Sequence, residues 1–352
     1  MVYPTMLRLA HLAVAAACAS CLATPAAALR EHRPAQPLGA RRGALLGCID
    51  ADSWVQVRRQ TYSSSPWELE WAATIGDLNA RGAACDAMAR APAKVDAWLS
   101  GVSASASATT SPDLDAAVFS HFDVQGVDGA GRPAVLRAPI EPLAGHMRHP
   151  LGLKECVPPG HTAVDVGDLS YLMLVGLSRG DVARVYPGRH ILIDAGTAAY
   201  NSSLEWLVTA YKERAIDFDE IYAWEAKPQD AREYWASVPD DVAPKLHYYN
   251  APVVADPASH MNPLRVIRDV ARPGDVVALK LDIDNDEVES QLVNQIMNDE
   301  RLRSTISEMF IETHYDSKQM APWFGRQATS HAAALAEMVR LRSLGLRLHY
   351  WP

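Results

Sequence analysis

The stretch LKLDIDNDEVE, residues 279–289, follows directly on the apolar residues Val277 and Ala278, and it crowds Asp282, Asp284, Asp286, Glu287 and Glu289 into eight positions. Asp282 and Asp284 stand two apart, so on an extended segment their side chains share a face. Two carboxylates so placed can hold a cation, or raise one another's pKa until one of them moves a proton. Glu287 and Glu289 fall where a helix would begin, and there carboxylates offset the dipole of the helix N-terminus as solvated groups. Thirty residues on, IETH brings Glu312 and His314 together, again two apart. Asp282, Asp284, Glu312 and His314 offer three oxygens and one nitrogen, a donor set compatible in principle with a divalent metal. The favoured reading is a polar site facing a substrate or cofactor, with no metal. The structural alternative is that Lys280 and His314 simply neutralise the acids.

These residues need a frame that brings them to one place. From about Gly188 short apolar runs alternate with helical stretches: HILIDAG, SSLEWLVTAYKER, EIYAWEA, PQDAREYWASV, LHYYNAP, DVVALKLDID, EVESQLVNQIM, EMFIETHY, a helix near 331–344, and LRLHYW. Strands alternating with helices predict an α/β fold with a doubly wound, mostly parallel Rossmann-like sheet and right-handed crossovers. Ligands of such sheets sit beyond the carboxyl ends of the strands, where the strand order reverses. That rule places Asp194, Glu225, Asn250, Asp282 with Asp284, and Glu312 with His314 along one rim. In ILIDAGTAAYNSS, Asp194 ends a strand, Gly196 makes the turn, and Asn201 or Ser202 is positioned to cap the next helix. A dinucleotide fingerprint needs more glycines than this loop carries, which argues against a pyrophosphate ligand. Glu225, about thirty residues after the turn, is placed to accept hydrogen bonds from ribose hydroxyls; the competing partners are Lys227 and the amides of a neighbouring helix.

The remaining chain is read more coarsely. Of 352 residues, 49% are hydrophobic and 21% charged, enough for a real core. A net charge of −9 without a basic cluster argues against nucleic acid as a partner. Residues 1–28 have the acid-free, Ala-rich layout of a secretory signal peptide with cleavage near Ala28. A membrane anchor, associating the chain with a membrane through this apolar segment, and an organellar transit peptide compete with that reading. The expected location is therefore the secretory pathway, with an organelle as the alternative. Residues 29–139 are expected to form a helical extension: a linker over 31–45, two or three short helices between Trp54 and Leu99 with breaks near Gly82 and Pro92, a flexible small-residue loop over 100–112, and a hairpin turning at Asp128-Gly129. The main domain is expected over 140–352. Beyond the leader, Cys48, Cys85 and Cys156 allow at most one intramolecular disulfide. The Asn-x-Ser triplet at Asn201 falls in the Gly196 loop.

The order DAG (Asp194–Gly196), WEAKP (Trp224–Pro228), KLDIDNDEVE (Lys280–Glu289) and IETH (Ile311–His314) resembles the FkbM-type methyltransferases. The likeness extends over about residues 140–352, and includes IEPL and RHP (Ile140–Leu143, Arg148–Pro150) and the Asn262-Pro263 pair. The resemblance implies S-adenosylmethionine as cofactor, and transfer of its methyl group to a hydroxyl of a small molecule or saccharide. It further implies Asp194 and Gly196 at the methionine end, Glu225 on the ribose, and Asn250 with Ala251 beside the adenine. Asp282 and His314 then face the methyl group or acceptor, with Asp284 next to them. Two departures stand out: the later glycine of the cofactor loop is missing, with Tyr200 nearby, and the family's Glu-Gly is Asp284-Asn285 here. They motivate the alternative of an inactive carbohydrate- or protein-binding domain on a methyltransferase-like fold.

Overall fold

In the computed structural model, which describes residues 60–76, 82–107, 113–127, 133–318 and 321–352, the chain first forms a short polar strand, β1 (Gln60–Ser63). Three helices follow: α1 (Pro66–Thr74), α2 (Ala83–Ala89) and α3 (Pro92–Ser107). Their starts are written locally. The Ser65 hydroxyl accepts from Glu68 N and Pro66 fills the first helical position of α1, where its missing N–H costs nothing. Gly82 precedes α2 at φ +94°, and Pro92 opens α3. The small-residue tract does not leave the helix at residue 100, as the loop expectation had it; α3 continues to Ser107. Alanine favours helix, and Gly101 is buried so tightly that a Cβ there would lie 2.3 Å from the Phe119 ring. Residues 108–112, the Asp128-Gly129 turn, and the expected leader, linker and Trp54 lie outside the described residues.

The hairpin is present as β2 (Ser120–Val127) and β3 (Pro133–Ile140), paired antiparallel with Val127 opposite Pro133. β1 adds to β2, giving a three-stranded sheet beside the helices. The added strand β1 was not legible, because QTYS has neither alternation nor β-branched weight beyond Thr61.

After helix α4 (Arg179–Val185) come strands β4 (His190–Ala195), β5 (Glu220–Trp224), β6 (Leu246–Tyr249), β7 (Val276–Leu281), β8 (Glu308–Ile311) and β9 (Leu348–Tyr350). Between them lie α5 (Glu205–Lys212), α6 (Ala231–Ser237), α7 (Pro263–Val270), α8 (Asp286–Asn298), α9 (Glu300–Thr305), α10 (Ala321–Phe324) and α11 (His331–Ser343). Among the described residues these six strands form one sheet, all neighbours parallel, in the order β6-β5-β4-β7-β8-β9. Counted from β4, that order is 3-2-1-4-5-6, compatible with a Rossmann-like fold, and the reversal falls between β4 and β7. Strand β7 is buried at all of its positions, as a strand covered on both faces must be.

A charged network inside the protein ties the amino-terminal layer to the sheet. Arg342 of α11 reaches Glu141 Oε1 at 3.2 Å and Glu68 Oε2 at 3.5 Å, and donates to Leu348 O at 2.8 Å. His349 of β9 lies between Glu141 (2.6 Å) and Glu308 (3.0 Å), while Arg347 pairs with Glu308 at 2.8 Å. Burial pushes His349 down, but the two carboxylates outweigh it and hold the ring above its ordinary value. Burial likewise raises Glu308, and His349 with Arg347 overcomes this to bring it to about 2. The described residues, from Gln60 to Pro352, belong to one compact unit. Removing one member of such a network leaves uncompensated buried charge. Arg342→Leu is expected to lower unfolding free energy by about 4 kcal/mol in urea denaturation; a change under about 1 kcal/mol would contradict the anchoring role.

Candidate functional site

Parallel pairing sets which side chains meet at the carboxyl edge. Asp194 of β4 is in register with Lys280 of β7, and neighbours in register face the same side of a sheet. Both side chains are fully buried, and Lys280 Nζ lies 3.3 Å from Asp194 Oδ1. The same ammonium is 2.8 Å from Asp282 Oδ2, donates to Gly196 O at 2.9 Å, and sits 5.3 Å over the Trp351 ring. Burial would lower Lys280, yet Asp194 and Asp282 hold it above its ordinary value. Burial pushes Asp194 up; the Lys280 charge opposes this and the Asp282 charge adds to it. One cation thus serves two carboxylates.

Gly196 is needed here for a reason other than a ligand. It stands at φ +102°, and a Cβ would lie 1.5 Å from Asp282 O, so the β4 loop presses directly on the backbone leaving β7. Gly196 N and Thr197 N both donate to Trp224 O at 3.1 and 3.0 Å, locking the loop to β5 as well. The following π-type turn, Tyr200–Leu204, packs against α6. Neither Asn201 nor Ser202 caps α5, contrary to expectation. Ser202 Oγ instead donates back to Thr197 O at 2.7 Å, and Asn201 is exposed.

The carboxylates of the opening stretch meet those of β8. Glu312, buried, is hydrogen-bonded to Asp282 and is pushed up to about 9, first by burial and then by the Asp282 charge, with Arg148 pulling it partly back. His314 Nε2 is 3.3 Å from Glu312 Oε2, and its Nδ1 is 3.5 Å from Asp286 Oδ1. Asp284, Glu312 and His314 place one ligand atom each within 4.8 Å of one another, so three of the four sequence-selected donors come together with Asp282 beside them. Asp284 adopts φ +55°, an uncommon conformation for a residue with a side chain, and such backbone clusters at functional sites. Glu289 is not the solvated capping residue expected. It is buried and accepts from Ile283 N at 2.8 Å; burial pushes it up to about 7, with the backbone bond pulling it partly back and the nearby acids Asp282, Asp286 and Asp284 adding to the rise.

Two strands away, Glu225 follows β5. Its Oε1 accepts from the backbone N of Lys227 at 2.5 Å rather than from the Lys227 ammonium, and its other oxygen has no partner among the described residues. Asn250, after β6, donates to Glu225 O and Lys227 O at 2.8 and 2.7 Å and accepts from Gln229 N at 2.8 Å. Its amide therefore braces the 225–229 loop, and Ala251 next to it is half-buried. Two residues that pattern reading passed over stand here. Tyr234 of α6 stacks on Tyr248 of β6 with ring centres 3.7 Å apart, and both hydroxyls are buried with no hydrogen-bond partner. Burial raises both phenols, Tyr234 well above its ordinary value and Tyr248 to about 12, with the Glu225 charge contributing to each. Tyr234 also feels Asp194 and Tyr200, so it bridges the two halves of the edge. In sequence both tyrosines read as ordinary core residues; only the missing partners mark them.

No family model, curated protein or solved structure matches this chain. The site is therefore read from its own chemistry. Lys280→Met is expected to cost about 4 kcal/mol by leaving two carboxylates unpaired in the interior, and Asp194→Asn on that background is expected to recover part of it; a neutral Lys280→Met would contradict the ion-pair geometry. For pH, the unfolded chain releases the Glu289 and Glu312 protons near pH 4.3, whereas the folded chain keeps them to about 7 and about 9. The folded state then binds more protons, so stability falls as pH rises through this window. Denaturation curves should lose the limb between about pH 7 and 9 in Glu312→Gln, and an unchanged limb would show that Glu312 does not carry it.

Proposed function

We propose that the carboxyl edge of β4–β8 binds S-adenosylmethionine and that the protein transfers its methyl group to a hydroxyl of a small molecule or saccharide. The observation that carries this reading is a pair of buried polar atoms left without protein partners near Glu225, the Tyr234 and Tyr248 hydroxyls. Buried polar groups are satisfied as a rule, and a nucleoside brings the hydroxyls and ring nitrogens that these atoms lack. These groups lie one and two strands from the reversal between β4 and β7, along the edge at which such sheets bind nucleotides.

In this reading Glu225 accepts from the ribose hydroxyls, Asn250 and Ala251 border the base, and the Asp194–Gly196 turn carries the methionine end. The cofactor supplies an electrophilic methyl group on a positively charged sulfur. The acidic edge around Asp282 suits that charge. His314, with Asp284 and Glu312 beside it, takes the proton of the acceptor hydroxyl as its oxygen forms the new bond to carbon. Asp282, fixed by Lys280, orients the acceptor.

A second reading, a non-catalytic carbohydrate- or protein-binding domain on the same frame, is favoured by one feature: Tyr200, 3% exposed, lies in the turn after Gly196, near the place where the later glycine of the family pattern is missing. The two readings separate in a melting experiment. Ligand at about a hundredfold over Kd adds roughly 2.7 kcal/mol, so S-adenosylmethionine or S-adenosylhomocysteine should raise the melting temperature by a few degrees, and Glu225→Ala should abolish the rise. No rise in the native protein contradicts the first reading and leaves the second.

A further inference from the structure

Away from the sheet edge, Cys85 of α2 and Cys156, in the 3₁₀ turn Lys154–Cys156, form a disulfide across 71 residues of chain. Both are buried. A ring nitrogen of His146 lies with the two sulfurs in a group whose atoms are all within 4.8 Å of one another. His146 is 7% exposed, and its Nε2 is buried without a hydrogen-bond partner.

The tautomer of His146 follows from its other nitrogen. Tyr315 Oη donates its one proton to His146 O at 2.8 Å. Toward His146 Nδ1, 3.3 Å away, the phenol oxygen can then act only as an acceptor, so Nδ1 carries the proton and Nε2 keeps its lone pair. This is the arrangement of a ligating histidine, whose second nitrogen is held by an outer partner that fixes the ring. The ring is further held by stacking on His331, centre to centre 5.2 Å.

We infer that the reduced protein holds a soft metal ion here, bound by the Cys85 and Cys156 thiolates and His146 Nε2. Two sulfurs and an imidazole select Cu+ or Zn2+ over hard cations. Zn2+ favours four ligands, and three buried ones with no described fourth assign the site to Cu+. The site forms when an external thiol reductant gives two electrons and two protons to the disulfide, breaking the S–S bond and becoming a disulfide itself. Both thiols then pass their protons to solvent as the metal binds. Oxidation of the pair reverses these steps and releases the ion.

The test uses the full chain, oxidised or reduced anaerobically with a phosphine, titrated with Cu+ against a chromophoric chelator and with Zn2+ in parallel. Because Cys18, Cys21 and Cys48 are also present, the double variant Cys85→Ser Cys156→Ser identifies the relevant equivalent. The reduced protein should bind one equivalent of Cu+ that both the oxidised protein and the double variant lack. His146→Ala should weaken it at least tenfold, and Tyr315→Phe, which leaves the ligands intact, roughly tenfold. If reduction melts the chain, recovery of the circular dichroism spectrum by one equivalent of Cu+ supports the site, and failure to recover overturns it. Equal binding by the oxidised protein or by His146→Ala overturns it, and tighter binding of Zn2+ than of Cu+ overturns the three-ligand assignment.

Discussion

The buried ammonium of Lys280 is the constraint on which the carboxyl edge depends. An unpaired charge in an apolar interior is expensive, and Lys280 is satisfied by three oxygens from three places: Asp194 on β4, Gly196 O in the loop after it, and Asp282 beyond β7. Those places flank the point where the strand order reverses. The ion pair and the Gly196–Asp282 backbone contact are therefore one device: the ammonium pulls two loops together, and only glycine lets them approach as closely as they do. The floor of the edge is set by protein chemistry before any ligand arrives.

That device leaves a surplus of negative charge above it. Burial, with the charge of Asp282 adding to it, makes the next acids outward, Glu312 and Glu289, keep their protons far above the ordinary carboxylate range. Near neutral pH, Glu312 is a neutral acid hydrogen-bonded to the Asp282 carboxylate, with His314 at its other side. Under the proposed function, this surplus of negative charge is what would favour the positively charged sulfur of the cofactor.

The placing of these strand ends was legible in the amino-acid sequence because strands alternating with helices fold into a parallel sheet, whose carboxyl ends all lie along one edge. Asp194, Glu225, Asn250, Asp282 and Glu312 were selected in this way, and each lies at the carboxyl end of its strand. The parts that were missed depend on long-range contacts. Tyr234 and Tyr248 matter through hydrogen bonds they do not make, Glu289 is buried by a loop that folds over it, and Arg148 reaches Glu312 from far upstream in the chain. The helix across residues 100–107 was hidden because the burial of Gly101 depends on Phe119, and β1 because its pairing with β2 leaves no periodic mark.

The most direct test of the central claim, that the edge organised by Lys280 is a nucleoside-binding site, is amide nuclear magnetic resonance with S-adenosylhomocysteine added. The account predicts saturable shifts concentrated at Gly196, Glu225, Ala251 and Asp282, lost in Lys280→Met. Shifts confined to the amino-terminal layer, or none at saturating ligand, would contradict it.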